Sequence, residues 1–150
     1  MLSEVVVLVL DTNILFHTLY SQNGASFEIL SRILSAEIFI ALSVPIFLEY
    51  ESVLKRKQNL EKFELSSSDI DDVLAALAYI GKKFGIFFSF TPNLRDETDN
   101  KFVDLAIRSS ADYIITSNTR DFLVKPDFKF SKSLIQTPVE FLKIWRKRNE

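Results

Sequence analysis

Asp11 ends an unbroken apolar run, Val5-Val6-Val7-Leu8-Val9-Leu10, and is followed at once by a hydroxyl and an amide, Thr12 and Asn13. Asp99 closes the polar segment Arg95-Asp96-Glu97-Thr98-Asp99 at a helix start, and Asn118 and Asp121 follow Thr116 in another polar turn. Glu49 and Glu51 stand on the two shoulders of an apolar helical arc. Two unscreened carboxylates about 4 Å apart repel by ~4 kcal/mol at an effective dielectric of about 20, so a cluster of them calls for a bound cation or shared protons. The chain has no Cys and a single His, His17, which rules out thiolate and multi-histidine metal centres. Oxygen ligands alone favour the hard ions Mg²⁺ or Mn²⁺, whose usual partners are phosphates.

Each acid also has an ordinary structural role. Asp11 and Thr12 are good N-caps, and Asp99 could serve Asp96 as the third-position partner of an acidic capping box. Asn118 and Asp121 could bond their own turn. Those roles suffice for each residue singly, but not for their common placement at strand ends and the adjoining helix starts. At about 100° per residue, Asp99 shares an arc with Phe102, Val103, Ala106 and Ser110, whereas Asp104 lies opposite with Glu97, Lys101 and Arg108. The spacing therefore predicts that Asp99 points inward and Asp104 to water. It does not choose between Glu49 and Glu51.

The elements that would position these residues alternate between strand and helix. Strands are expected at 5–10, 37–42, 86–90, 112–116 and near 134–136, nearly all apolar, as in a parallel sheet buried on both faces. Helices are expected after Asp11, over 26–36 with Phe27, Leu30, Ile33 and Leu34 inward, and from Ser43-Val44-Pro45 to Lys55-Arg56-Lys57. Residues 58–65 read as a connection with a little helix. A long helix capped by Ser66-Ser67-Ser68 runs to about 83, with Asp69, Asp71 and Asp72 suiting its dipole. Thr137-Pro138 opens a last helix with Val139, Phe141, Leu142 and Trp145 inward.

At 150 residues, 47% hydrophobic, with 3 Gly and 4 Pro, the chain has the size and composition of one domain spanning 1–150. Its net charge of −2 gives no global attraction for nucleic acid, so any such binding must come from local patches or from metal ions. The first apolar run is too short to span a membrane and is preceded by Glu4 rather than a basic segment, so a soluble cytoplasmic protein without membrane association is expected.

The order and spacing of Asp11-Thr12-Asn13, Leu48-Glu49-Tyr50, the 95–100 segment leading to Ala106, and Thr116-Ser117-Asn118 followed by Asp121-Phe122 resemble the PIN-domain nucleases. The closest resemblance is to prokaryotic PIN proteins that act as toxins of toxin–antitoxin pairs. It implies a three-layer α/β/α sandwich around a parallel sheet of about five strands, and a Mg²⁺- or Mn²⁺-dependent endoribonuclease of single-stranded or structured RNA. Carried over by motif, the family's acids correspond to Asp11, Glu49 and Asp99, which selects Glu49 over Glu51. Asn118 stands where many members have Asp, leaving Asp121 as the nearest carboxylate, so the implied metal ligands are Asp11, Asp99, Asn118 and Asp121. Thr12 and Thr116 take the place of hydroxyls that support the ligands or touch substrate phosphate, and Lys55, Arg56 and Arg95 are candidates for phosphate contact. A small antitoxin and a homodimer are the implied partners.

Two other readings compete. A PIN-like module that binds RNA or protein without catalysis would accommodate Asn118. A phosphatase with Asp11 as nucleophile would need a second acid two residues on, where Asn13 stands.

Overall fold

Leu8, Val9 and Leu10 are each no more than 1% exposed. Successive side chains leave opposite faces of a strand, so both faces of this one are covered and the sheet lies between two layers. The computed structural model describes residues 5–85, 97–123 and 131–149, with residues 97–100 described by their backbone only. Among them are five strands: β1 (Val7–Leu10), β2 (Phe39–Leu42), β3 (Lys82–Lys83), β4 (Tyr113–Ile115) and β5 (Leu134–Gln136). They form one all-parallel sheet in the order β3-β2-β1-β4-β5. The eight helices among these residues are α1 (Thr12–Tyr20), α2 (Ala25–Leu34), α3 (Val44–Leu54), α4 (Lys57–Phe63), α5 (Ser67–Ile80), α6 (Glu97–Ser109), α7 (Thr119–Leu123) and α8 (Pro138–Arg148). The result is the expected three-layer α/β/α sandwich.

The chain leaves β1 for β2 on one side and later returns to β4 on the other. The strand order therefore reverses between β1 and β4, and the crevice beyond their carboxyl ends is where α/β sheets take ligands. Register sharpens this placement, because Leu10 pairs with Ile115 and the next residues are Asp11 and Thr116. Local signals fix the helices around that edge. Ser43 caps α3 through Ile46 N–H, with Pro45 in the first turn, and capping boxes join Ser66 to Asp69 and Thr137 to Glu140. Among the described residues no helix is long and apolar enough to cross a membrane.

Several expectations are corrected. The strand expected at 86–90 lies outside the described residues; the strand beside β2 is Lys82–Lys83, in what spacing alone reads as the end of a helix. The helix stops at Ile80, where the C-cap Gly81 turns to extended backbone while its N–H still donates to Leu77 O, and an added Cβ there would lie 2.5 Å from Leu42 Cδ1 of β2. The two lysines that follow are exposed, which suits an edge strand. The little helix expected within 58–65 is the seven-residue α4, anchored by Phe63 and by Asn59, whose Nδ2 donates to Val53 O at 2.7 Å.

On α2, Ile29 is buried and Phe27 and Leu34 are exposed, so the inward face is rotated from the expected one; Val139 of α8 is likewise exposed. Asp104 is 5% exposed rather than turned to water. The reason is that α6 packs against β1, β2, β4 and α3 at once, which covers more of its circumference than a single apolar stripe implies.

Candidate active site

The site begins with a carboxylate that forgoes its simplest role. Asp11 occupies the N-cap position of α1, yet its side chain makes no capping hydrogen bond. Its backbone N–H extends the sheet by donating to Ile115 O at 2.9 Å. Its Oδ2 accepts from Thr116 Oγ1 at 2.7 Å, and that hydroxyl in turn accepts from the Asn118 N–H at 3.0 Å. Thr116 is fully buried. A hydroxyl with its proton committed to Asp11 and its lone pair to the Asn118 turn fixes the direction of the carboxylate and is shielded from anything entering the crevice.

Glu49 approaches from α3. Thr12 Oγ1 donates to its Oε2 at 2.7 Å, so the two residues that begin α1 are each tied to a different wall: Asp11 to the β4 turn and Thr12 to α3. Glu51 faces elsewhere, 3.0 Å from Lys55 Nζ. Tyr50, the residue after Glu49, is fully buried and donates from its hydroxyl to Leu10 O at 2.6 Å, clamping α3 onto the end of β1. Burial first, then the negative charges of Asp11 and Glu49, push the Tyr50 hydroxyl well above the ordinary tyrosine range. Tyr50 thus remains a proton donor at neutral pH, and both carboxylates act on the same buried group.

Asp11, Thr12, Asn13, Arg56, Asn118 and Asp121 line a cleft of about 400 Å³, with Phe16 and Phe122 among its apolar walls. Asn118 and Asp121 are exposed at its rim, where Asp121 N–H donates to Asn118 O at 3.1 Å. Lys55 is absent from this lining. It pairs with Glu51 and with Asp71 at 2.5 Å, joining α3 to α5. Arg95 lies outside the described residues, and Asp99 is placed as the third residue of α6 with its side chain outside the description.

The oxygen atoms present suit a hard cation. Glu49 Oε1 and Asn13 Oδ1 are both buried without a hydrogen-bond partner, the first beside Thr12 and the second in the cleft lining. Buried polar oxygens normally have partners, so two orphans here are open coordination capacity. The described residues alone bring no three acidic or histidine groups close enough to form a complete metal centre. Sequence reasoning overlooked Asn13, Tyr50 and Lys101. Asn13 and Tyr50 entered within the motifs Asp11-Thr12-Asn13 and Leu48-Glu49-Tyr50 without a role of their own, and Lys101 only as an outward-facing neighbour of Asp104. The Thr12 partner of Glu49 is 37 positions away in sequence, beyond the reach of helical spacing.

A family model described as the PIN domain matches residues 7–120. The fold is similar to that of a chain in the crystal structure of VapBC2 from Rickettsia felis bound to a DNA fragment from their promoter. That match has a TM-score of 0.56 and 16% identity, and covers 87% of this chain and 98% of the other. At that identity the likeness is one of fold. No curated protein matches the sequence.

Proposed function

The chain belongs to the PIN-domain family, and on that premise we propose that it is a divalent-metal-dependent endoribonuclease whose active site is the Asp11 cleft. The observation that carries this reading is the orientation of Asp11. A strand-end carboxylate that could cap its helix is instead held by Thr116 toward the crevice, with Glu49 held by Thr12 beside it. In this reading Asp99 of α6 is the third acid, and Asn118 and Asp121 complete the far rim.

A bound Mg²⁺ or Mn²⁺ would supply Lewis acidity for activating water and neutralising charge on the phosphodiester. The chain's own residues do the rest. Asp11, Asp99 and the Asn118–Asp121 rim would hold the ion, with Glu49 Oε1 open beside them, and Thr116 and Thr12 keep Asp11 and Glu49 from swinging into solvent. Arg56, in the cleft lining, is placed to meet a substrate phosphate. The ion pairs of Lys55 take it out of that role. Because Asn118 is uncharged, the rim is less repulsive to RNA than one with a further aspartate. The remaining carboxylates still repel it, so charge neutralisation comes before RNA binding.

The proposed biological setting is a toxin–antitoxin pair in the cytoplasm, with a small antitoxin covering the cleft and a homodimer as the assembled form; the likeness to the VapBC2 structure supports the antitoxin partner alone. The test is cleavage of single-stranded RNA by the purified chain. We expect hydrolysis with Mg²⁺ or Mn²⁺ that stops with a chelator. Losing a ligand removes several kcal/mol of transition-state stabilisation, so Asp11→Asn and Asp99→Asn should each slow it by about 100-fold or more. Equal cleavage by these variants would refute the assignment. RNA binding without cleavage under any metal would instead establish the non-catalytic module that Asn118 allows.

A further inference from the structure

The two oxygens of Glu49 have neighbours of different kinds. Oε2 accepts the Thr12 hydroxyl at 2.7 Å, whereas Oε1 makes no hydrogen bond and faces Lys101 Nζ at 3.7 Å. That separation is an ionic contact and too long for a hydrogen bond, so Lys101 neutralises Glu49 without occupying the lone pairs of Oε1. The Glu49 side chain is only 11% exposed, and that of Lys101 is 32% exposed. The carboxylate is therefore fixed in the wall, while the ammonium, on a flexible four-carbon stem, has a route to solvent. Lys101 lies on α6, two residues after Asp99 in the chain.

We propose that Lys101 is a positioning residue that serves as the built-in counter-ion of the acidic cluster, holding Glu49 in place before a divalent cation binds and setting the affinity for that cation by competing with it for Glu49 Oε1. This rests on reading the Asp11 cleft as a metal site. Asp11 and Glu49 are close enough for both charges to act on Tyr50, and the Lys101 ammonium 3.7 Å from Glu49 Oε1 offsets their repulsion. A dication entering beside Glu49 must share the carboxylate with that ammonium or displace it. Displacement is open to Lys101 because it is partly exposed and makes no short hydrogen bond to Glu49 Oε1. The site is then tuned to bind its ion more weakly than its carboxylates alone would.

The test is Mn²⁺ titration of the full chain without RNA, followed by electron paramagnetic resonance, on the wild type, Lys101→Met and Lys101→Arg. Removing a unit charge at this distance should tighten Mn²⁺ binding by about tenfold in Lys101→Met, and Lys101→Arg should stay near wild type. In a Glu49→Gln background, Lys101→Met should change the affinity far less, since the shared carboxylate is gone. Unchanged or weaker Mn²⁺ binding by Lys101→Met, with wild-type binding still lost in Asp11→Asn, would overturn the counter-ion role and leave the metal site standing. Absence of Mn²⁺ binding in both wild type and Lys101→Met would overturn the metal site and this proposal with it.

Discussion

A carboxylate at the end of a buried strand can cap the helix that follows, or it can leave those backbone donors and turn to another partner. Asp11 takes the second course, and Thr116 is what holds it there. Outer hydrogen bonds to a ligand typically contribute 10–100-fold in metal affinity or activity, so Thr116→Val should lower Mn²⁺ affinity by about that range, and Thr116→Ser should restore most of it. Calorimetric titration of the three proteins checks this. The prominence of Asp11 was legible in the sequence because an apolar run ends on it. The partner was not, since Thr116 lies 105 positions away and meets it only through strand register. Glu49 and Glu51 are alike on a helical wheel; the structure separates them by what they meet, Thr12 for one and Lys55 for the other. Asp104 was misread because a wheel assumes one buried stripe, and α6 is packed on several sides.

At the scale of elements, the join between α3 and β1 matters most, and Tyr50 makes it. Tyr50→Phe would leave the buried Leu10 carbonyl without its donor, which should lower unfolding stability by about 1–3 kcal/mol in urea titrations. The pH dependence has a definite sign. The folded hydroxyl is raised above its unfolded value of about 10, so its contribution is fully present below that pH and is lost as pH rises through the higher folded value. The wild type should therefore lose stability above about pH 10 more steeply than Tyr50→Phe does. Sequence located most elements because their start signals are local: Ser43 with Pro45, Ser66 with Asp69, and Thr137 with Pro138. It gave α4, two turns long with few apolar residues, only as a little helix within a connection, and it missed β3, two exposed lysines whose strand character comes entirely from lying beside β2.

For the whole molecule, strand–helix alternation made a parallel sheet legible, and a parallel sheet carries its ligand site at the carboxyl ends of its strands. The order β3-β2-β1-β4-β5 was not legible, yet it is what makes the β1/β4 boundary the switch point and sets Asp11 beside Thr116. Formal charge had little to say about function. A net of −2 conceals a cleft where Asp11 and Asp121 face Arg56, with Glu49 balanced by Lys101 behind it. The central claim is that Asp11 and Asp99 share a divalent cation. The most direct measurement is the anomalous signal of Mn²⁺ in crystals of the chain soaked with that ion. The account predicts a peak between the two carboxylates; an Asp99 turned back to cap α6, with no peak beside Asp11, would contradict it.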